Sequence, residues 1–167
     1  MRHILLFLLL MCLGIILQLT TISRINILNG SGDLILVIIC AWAAQEKVRQ
    51  AWVWGVVGGI LVGLISAAPL YIYVFIYTFI AVSSRLLLRR IWQAPLMGVI
   101  LVVFLGSILS TTSIYIFRFI FENYSQSFGN VFIDIILPSV LINMIMTFIL
   151  HPVIVPLAKW ATELDTK

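Results

Sequence analysis

The side chains in this chain that can do chemistry are few, and they lie inside or at the edges of long apolar runs. Asp33 and Asp134 open two such runs, and Arg118 closes a third. One reading makes both acids helix caps, because a carboxylate is favourable at a helix N-terminus. A second pairs Arg118 with Asp134, since an acid one turn inside an apolar helix is expensive without a partner. A proton relay would need a second acid deeper in the run, and the pattern provides none. Gln18 and Asn143 sit within apolar stretches, where an amide can hydrogen-bond between helices for roughly 0.5–2 kcal/mol.

The remaining candidates read as structural. His151 stands alone before Pro152, and one histidine is not a metal site. Cys12 and Cys40 fall inside apolar runs and read as small buried hydrophobes. Ser107, Ser110, Thr111, Thr112 and Ser113 form a small polar cluster suited to helix packing or to bonding back to their own helix. There is no Gly-x-Ser-x-Gly, phosphate loop, His-Glu-x-x-His or Cys-x-x-Cys. The sequence predicts no enzyme, no cofactor and no metal.

The elements that must position these residues follow from composition. Hydrophobic residues make up 63% of the 167 and charged residues 10%, against roughly 45–50% and 25% in soluble domains. With a mean hydropathy of +1.20, the expectation is an all-α, polytopic membrane bundle forming a single domain over 1–167. The net charge of +4 does not indicate a nucleic-acid partner. Its basic residues flank apolar runs and read as topology signals.

Six spans are predicted, at about 4–22, 33–44, 51–66, 69–84, 95–117 and 131–151, followed by a short tail at 152–167. The start, Met1-Arg2-His3 and an apolar run, has the form of a secretory signal but no small-residue cleavage site, so it reads as an uncleaved first span. Asp33 is the predicted cap of the short second span. Glu122 to Asn130 reads as a polar loop, and Pro152 and Pro156 as the stop of the sixth span.

Residues 51–82 carry no charge and would form a helix about 48 Å long, against a hydrocarbon core of about 30 Å. Ser66-Ala67-Ala68-Pro69 interrupts them, so 51–83 reads as a tight helical hairpin. Its first arm carries Gly55, Gly59 and Gly63 at steps of four, and Ala67 continues the step. That face lets another helix, within the chain or in a partner, approach closely. With both termini on the cytoplasmic side, eight of the ten basic residues also lie there, as the positive-inside rule favours. A five-span, N-outside arrangement scores the same. The basic residue ahead of the first span favours six. Trp42, Trp52, Trp54, Trp92 and Trp160 all fall near predicted inner boundaries, as an aromatic belt should.

With this map in place, the chain resembles the bacterial rod shape-determining protein MreD family. The resemblance lies in Gly32-Asp33-Leu-Ile-Leu-Val-Ile-Ile, in the Gly-rich helix 55–63 running into Ser66-Ala-Ala-Pro69-Leu70, in the basic connection 85–90, and in the Asn143 to Pro152 segment. Members often carry an Asp three residues before that Ser and a Gly after Pro-Leu. Gly63 and Tyr71 stand there, so no role of that acid carries over. The resemblance implies a non-enzymatic subunit of the wall-elongation machinery in the bacterial cytoplasmic membrane. Its implied partners are a bitopic MreC-type protein and, with it, a peptidoglycan polymerase and transpeptidase. The alternative is the substrate-binding membrane subunit of an energy-coupling-factor vitamin transporter, another small polytopic class, whose docking could also use the glycine face.

Overall fold

The computed structural model describes residues 2–22, 26–45, 50–66, 68–88 and 95–163. Ala67, Trp92 and six of the ten basic residues counted above, Arg24, Lys47, Arg49, Arg89, Arg90 and Lys167, lie outside them. The fold is all-helical apart from one minimal β-hairpin. The helices are α1 (Arg2–Thr20), α2 (Leu34–Ala43), α3 (Ala51–Ile65), α4 (Leu70–Leu88) and α5 (Pro95–Phe121). The last rod joins α6 (Phe128–Val131), a π-helical turn (Phe132–Ile136) and α7 (Leu137–Glu163) without a break. Three of these stretches, Leu70–Leu87, Leu96–Phe121 and Phe128–Trp160, are long and apolar enough to cross a membrane.

α2 is the axis of the bundle. All ten of its residues are buried, and it touches α1, α3, α4, α5 and α7. A helix apolar on every side must be covered on every side, and glycines make the room. Gly14 of α1 faces Ile35 and Ile38, and Gly58 of α3 faces the Ile39 side chain. At ten residues α2 is only about 15 Å long, half of a ~30 Å hydrocarbon core.

The chain ahead of α2 is extended. β1 (Asn26–Ile27) and β2 (Gly30–Ser31) pair antiparallel, turning through Leu28, whose φ of 55° is left-handed. The hairpin lies along the last rod at the π-helical turn. Pro138 has no N–H to give to the carbonyl four residues back, that of Asp134, and its ring crowds the same carbonyl. The helix widens there, and the Asn29 N–H takes up the Asp134 carbonyl at 3.0 Å. Gly30 is wedged in beside it: a Cβ there would stand 2.6 Å from Pro138 Cβ and 2.7 Å from the Ser139 nitrogen.

Several expected boundaries move. The last helix does not stop at Pro152 and Pro156 but runs through both to Glu163, with Ile154 and Ala158 fully packed in the core. That packing outweighs the hydrogen bonds the prolines forfeit. Thus much of the expected 152–167 tail is helix, and residues 164–167 lie outside the described part. Gly129 and Asn130, read as loop, are the start of that rod, and α5 extends four residues past 117 to Phe121. Trp42 and Trp54 do not form a surface belt. Both are buried against the Phe7 ring, with centroids 5.0 and 4.2 Å away, whereas Trp52 and Trp160 are exposed. Cys40 is buried as expected, but Cys12 is exposed.

Candidate functional site

The chemistry-bearing side chains converge on the segment that starts α2. Residues 31–33 precede the helix and Leu34 is its first residue, so their N–H groups have no partner within the helix and must find one elsewhere. Gln18, near the end of α1, supplies two. Its Nε2 donates to the Gly32 carbonyl at 3.0 Å, and its Oε1 accepts from the Leu34 N–H at 2.7 Å. The last rod supplies two more. The Ser31 N–H donates to Ser139 Oγ at 3.1 Å, and the Asp33 N–H donates to Asn143 Oδ1 at 2.6 Å.

Asn143 also donates from Nδ2 to Ser107 Oγ at 2.9 Å, tying α5 into the same cluster. Its own position is held by ordinary helix geometry, with the Thr147 hydroxyl bonding back to its carbonyl at 2.7 Å. On α5, Thr111 bonds back to the Ser107 carbonyl at 2.6 Å. Asn143 thus links α7 to α5, as expected of it, and together with Gln18 it also grips the extended chain ahead of α2. Ser139 is a participant that the sequence reading did not single out.

Asp33 caps α2: its Oδ1 accepts the Leu36 N–H at 3.0 Å. Its second oxygen is hydrogen-bonded by the Tyr77 hydroxyl of α4. Tyr77 is itself buried, with Tyr73 against its ring at a centroid distance of 6.2 Å. Tyr77 is seven residues below Leu70, about 10 Å down α4 from the hairpin turn. Along the three long apolar stretches, Tyr77, Ser107 and Asn143 each fall within two residues of the midpoint. Asp33 therefore sits among the middles of these helices, not at the bundle's end where its place in the sequence suggested. Nothing in the sequence distinguished Tyr77 from Tyr71 or Tyr73. Only the parallel course of α2 and α4, seen again where the Ser84 hydroxyl meets Cys40 Sγ at 3.8 Å, puts it opposite Asp33.

The glycine face has a different neighbour from Asp33. Cβ atoms at Gly55, Gly59 and Gly63 would stand 2.6, 2.5 and 2.8 Å from the Cα atoms of Thr78, Val74 and Leu70. These are backbone atoms, so nothing can rotate away. The face is filled by α4, the other arm of the same hairpin. None of the described glycines has a positive φ. They serve by lacking a side chain.

The expected Arg118–Asp134 pair is replaced by a local one. Arg118 Nε lies 3.7 Å from Glu122 Oε2, one turn along the same surface, and such i, i+4 geometry forms without any tertiary contact. Asp134 instead sits in the π-helical turn, contributing its backbone carbonyl. Among the described residues no group of three or more His, Cys, Asp or Glu comes together to hold a metal.

A groove of about 230 Å³ lies between α4 and α5, lined by residues that include Ile80, Ser83, Val102, Leu105 and Gly106. It offers apolar surface suited to alkyl chains. Compared with known proteins, the chain matches no family model, no curated protein and no solved structure.

Proposed function

We propose that the chain is a non-enzymatic scaffold subunit of the bacterial cytoplasmic membrane, acting in the rod-shape and peptidoglycan-elongation complex. In this reading it binds a bitopic MreC-type protein and, with it, the polymerase and transpeptidase. The observation that carries a scaffold over a solute-binding subunit is the filled centre. α2 occupies the middle of the bundle with every residue buried, and the amides nearest its start are committed to backbone groups. A vitamin carrier of this size would need that volume for its ligand. The assignment to cell-wall elongation rests on the sequence resemblance.

The proposed topology has six crossings with both termini cytoplasmic, which places eight of the ten basic residues inside. The second crossing in this reading is composite, an extended hairpin seated on the last rod through the buried Gly30 in the outer half and α2 in the inner half. Irregular backbone at membrane depth is tolerated where protein covers it and satisfies it. Gln18, Ser139 and Asn143 do so here.

The test joins depletion in a rod-shaped host with purification. Depletion should round the cells, and the purified chain should capture the bitopic protein and carry no vitamin. A stoichiometric vitamin with unchanged cell shape would replace this reading with the vitamin-transporter one.

A further inference from the structure

We propose that the end of the bundle where α5 turns into α6 is a bilayer-anchoring surface: its exposed phenylalanine rings lie in the headgroup boundary of one leaflet, and the loop at 122–127 stands in water above them. On α5, Ser107 is hydrogen-bonded to Asn143, and both lie near the midpoints of their apolar stretches. Tyr115, Phe119 and Phe121 follow 8, 12 and 14 residues after Ser107, about 12, 18 and 21 Å along the helix axis. A hydrocarbon core ends about 15 Å from the bilayer centre, and the headgroup region about 20–22 Å from it. The Tyr115 ring holds three others in this layer, with centroids 6.0 Å from Phe119, 6.2 Å from Tyr124 and 5.7 Å from Phe128.

Within the layer the side chains are sorted by polarity. Phe119, Ile120, Phe121 and Phe128 are exposed, Phe121 by 70%. The loop between the helices is polar at Glu122, Asn123, Ser125, Gln126 and Ser127, and all five are exposed. Both phenol groups turn towards it: the Tyr115 hydroxyl donates to the Gln126 carbonyl at 3.0 Å, and the Tyr124 hydroxyl meets Gln126 Oε1 at 2.9 Å. No uniform medium suits this end. Water would wet a cluster of large apolar side chains, and hydrocarbon would strip the loop's carboxylate and amides of their hydration. The boundary gives the rings an apolar side and the loop a wet one, which is where amphipathic aromatic rings collect.

The inference rests on the membrane reading of the long helices, not on the partner or the pathway, so the purified full chain tests it. Phe119→Cys, Phe121→Cys, Asn123→Cys and Leu141→Cys are made singly in a Cys12→Ser background, Cys40 being buried, and each carries a nitroxide. In nanodiscs of phosphatidylethanolamine and phosphatidylglycerol, collisions are measured with oxygen, which enters hydrocarbon, and with a nickel chelate, which stays in water. Each label at 119 or 121 is read with the other ring in place. Leu141 is the reference, exposed and two residues from Asn143. Oxygen should dominate at 141, the chelate at 123, and neither at 119 and 121. Labels at 119 and 121 as open to the chelate as 123, with 141 still in hydrocarbon, would put the tip in water and overturn this proposal alone. Labels there as deep as 141 would also overturn it. So would labels reached by neither reagent, which would mean that a second copy covers the tip. A chelate-accessible 141 would overturn the membrane reading and the anchor with it.

Discussion

Between α3 and α4 the contact is backbone on backbone, made possible by three missing side chains and secured by shape. At the start of α2 the contact is side chain on backbone, made by amides and hydroxyls that reach in from other helices. The first needs no particular chemistry but has no spare volume. The second depends on which atoms donate and accept, and its partners are spread across the chain. Two ways of holding helices together where water does not help thus sit side by side, and substitutions should separate them.

The largest effect is expected on the hairpin. Gly59→Leu adds four carbons where even a Cβ would stand 2.5 Å from the Val74 Cα. The arms must part along their length, and we expect loss of folded, monodisperse protein in detergent, measured by size exclusion and thermal melting. Gly106→Ala is the control, because its Cβ meets the Ile80 side chain at 3.2 Å, which can shift. A Gly59→Leu protein as stable as the parent would end the claim that this face is core.

The next effect is at the start of α2. Gln18→Leu keeps the bulk but strands the Gly32 carbonyl and the Leu34 N–H. Each buried orphan costs about 1–3 kcal/mol. Asn143→Leu strands the Asp33 N–H and frees Ser107. If the two residues act on one segment, a double-mutant cycle on thermal stability should show coupling; strict additivity would mean two independent contacts.

The smallest effect is at the surface. The Arg118–Glu122 pair has side chains 38% and 48% exposed, so a cycle on that pair should return no more than about 0.5 kcal/mol, reduced further by salt. An Arg118–Asp134 cycle should return less still, and a larger coupling there would restore the interhelical pair and undo the contrast.

The two regions also differ in how much of each was legible in the sequence. The glycine face repeats every four residues and its partner follows across a four-residue turn, so periodicity and Pro69 revealed both the hairpin and its tight packing. Asp33 as a cap was legible for the same reason, since its Leu36 donor is three residues away. The remaining contacts of that site were not. Tyr77 is 44 residues from Asp33 and Asn143 is 110, and no local pattern encodes such distances. The prolines misled for a related reason. Pro152 and Pro156 break a helix by local rules, but the burial of Ile154 and Ala158 is a tertiary fact. Pro138 had the opposite role, with its forfeited bond taken up by a hairpin more than a hundred residues earlier.

That long reach has a consequence in time. In a chain made from its N-terminus, the β-hairpin and α2 emerge when Gln18 is the one partner from another helix already synthesised. Tyr77 follows 44 residues after Asp33, and Ser139 and Asn143 arrive about 110 residues after the groups they bind. At about 5–20 residues per second, the Ser31 and Asp33 N–H groups wait roughly 5–20 s for their partners. Until then water or another partner must satisfy them. The last described helix to be synthesised thus completes the segment ahead of α2, and a chain interrupted before Leu137 lacks the side chains that bond to Ser31 and Asp33.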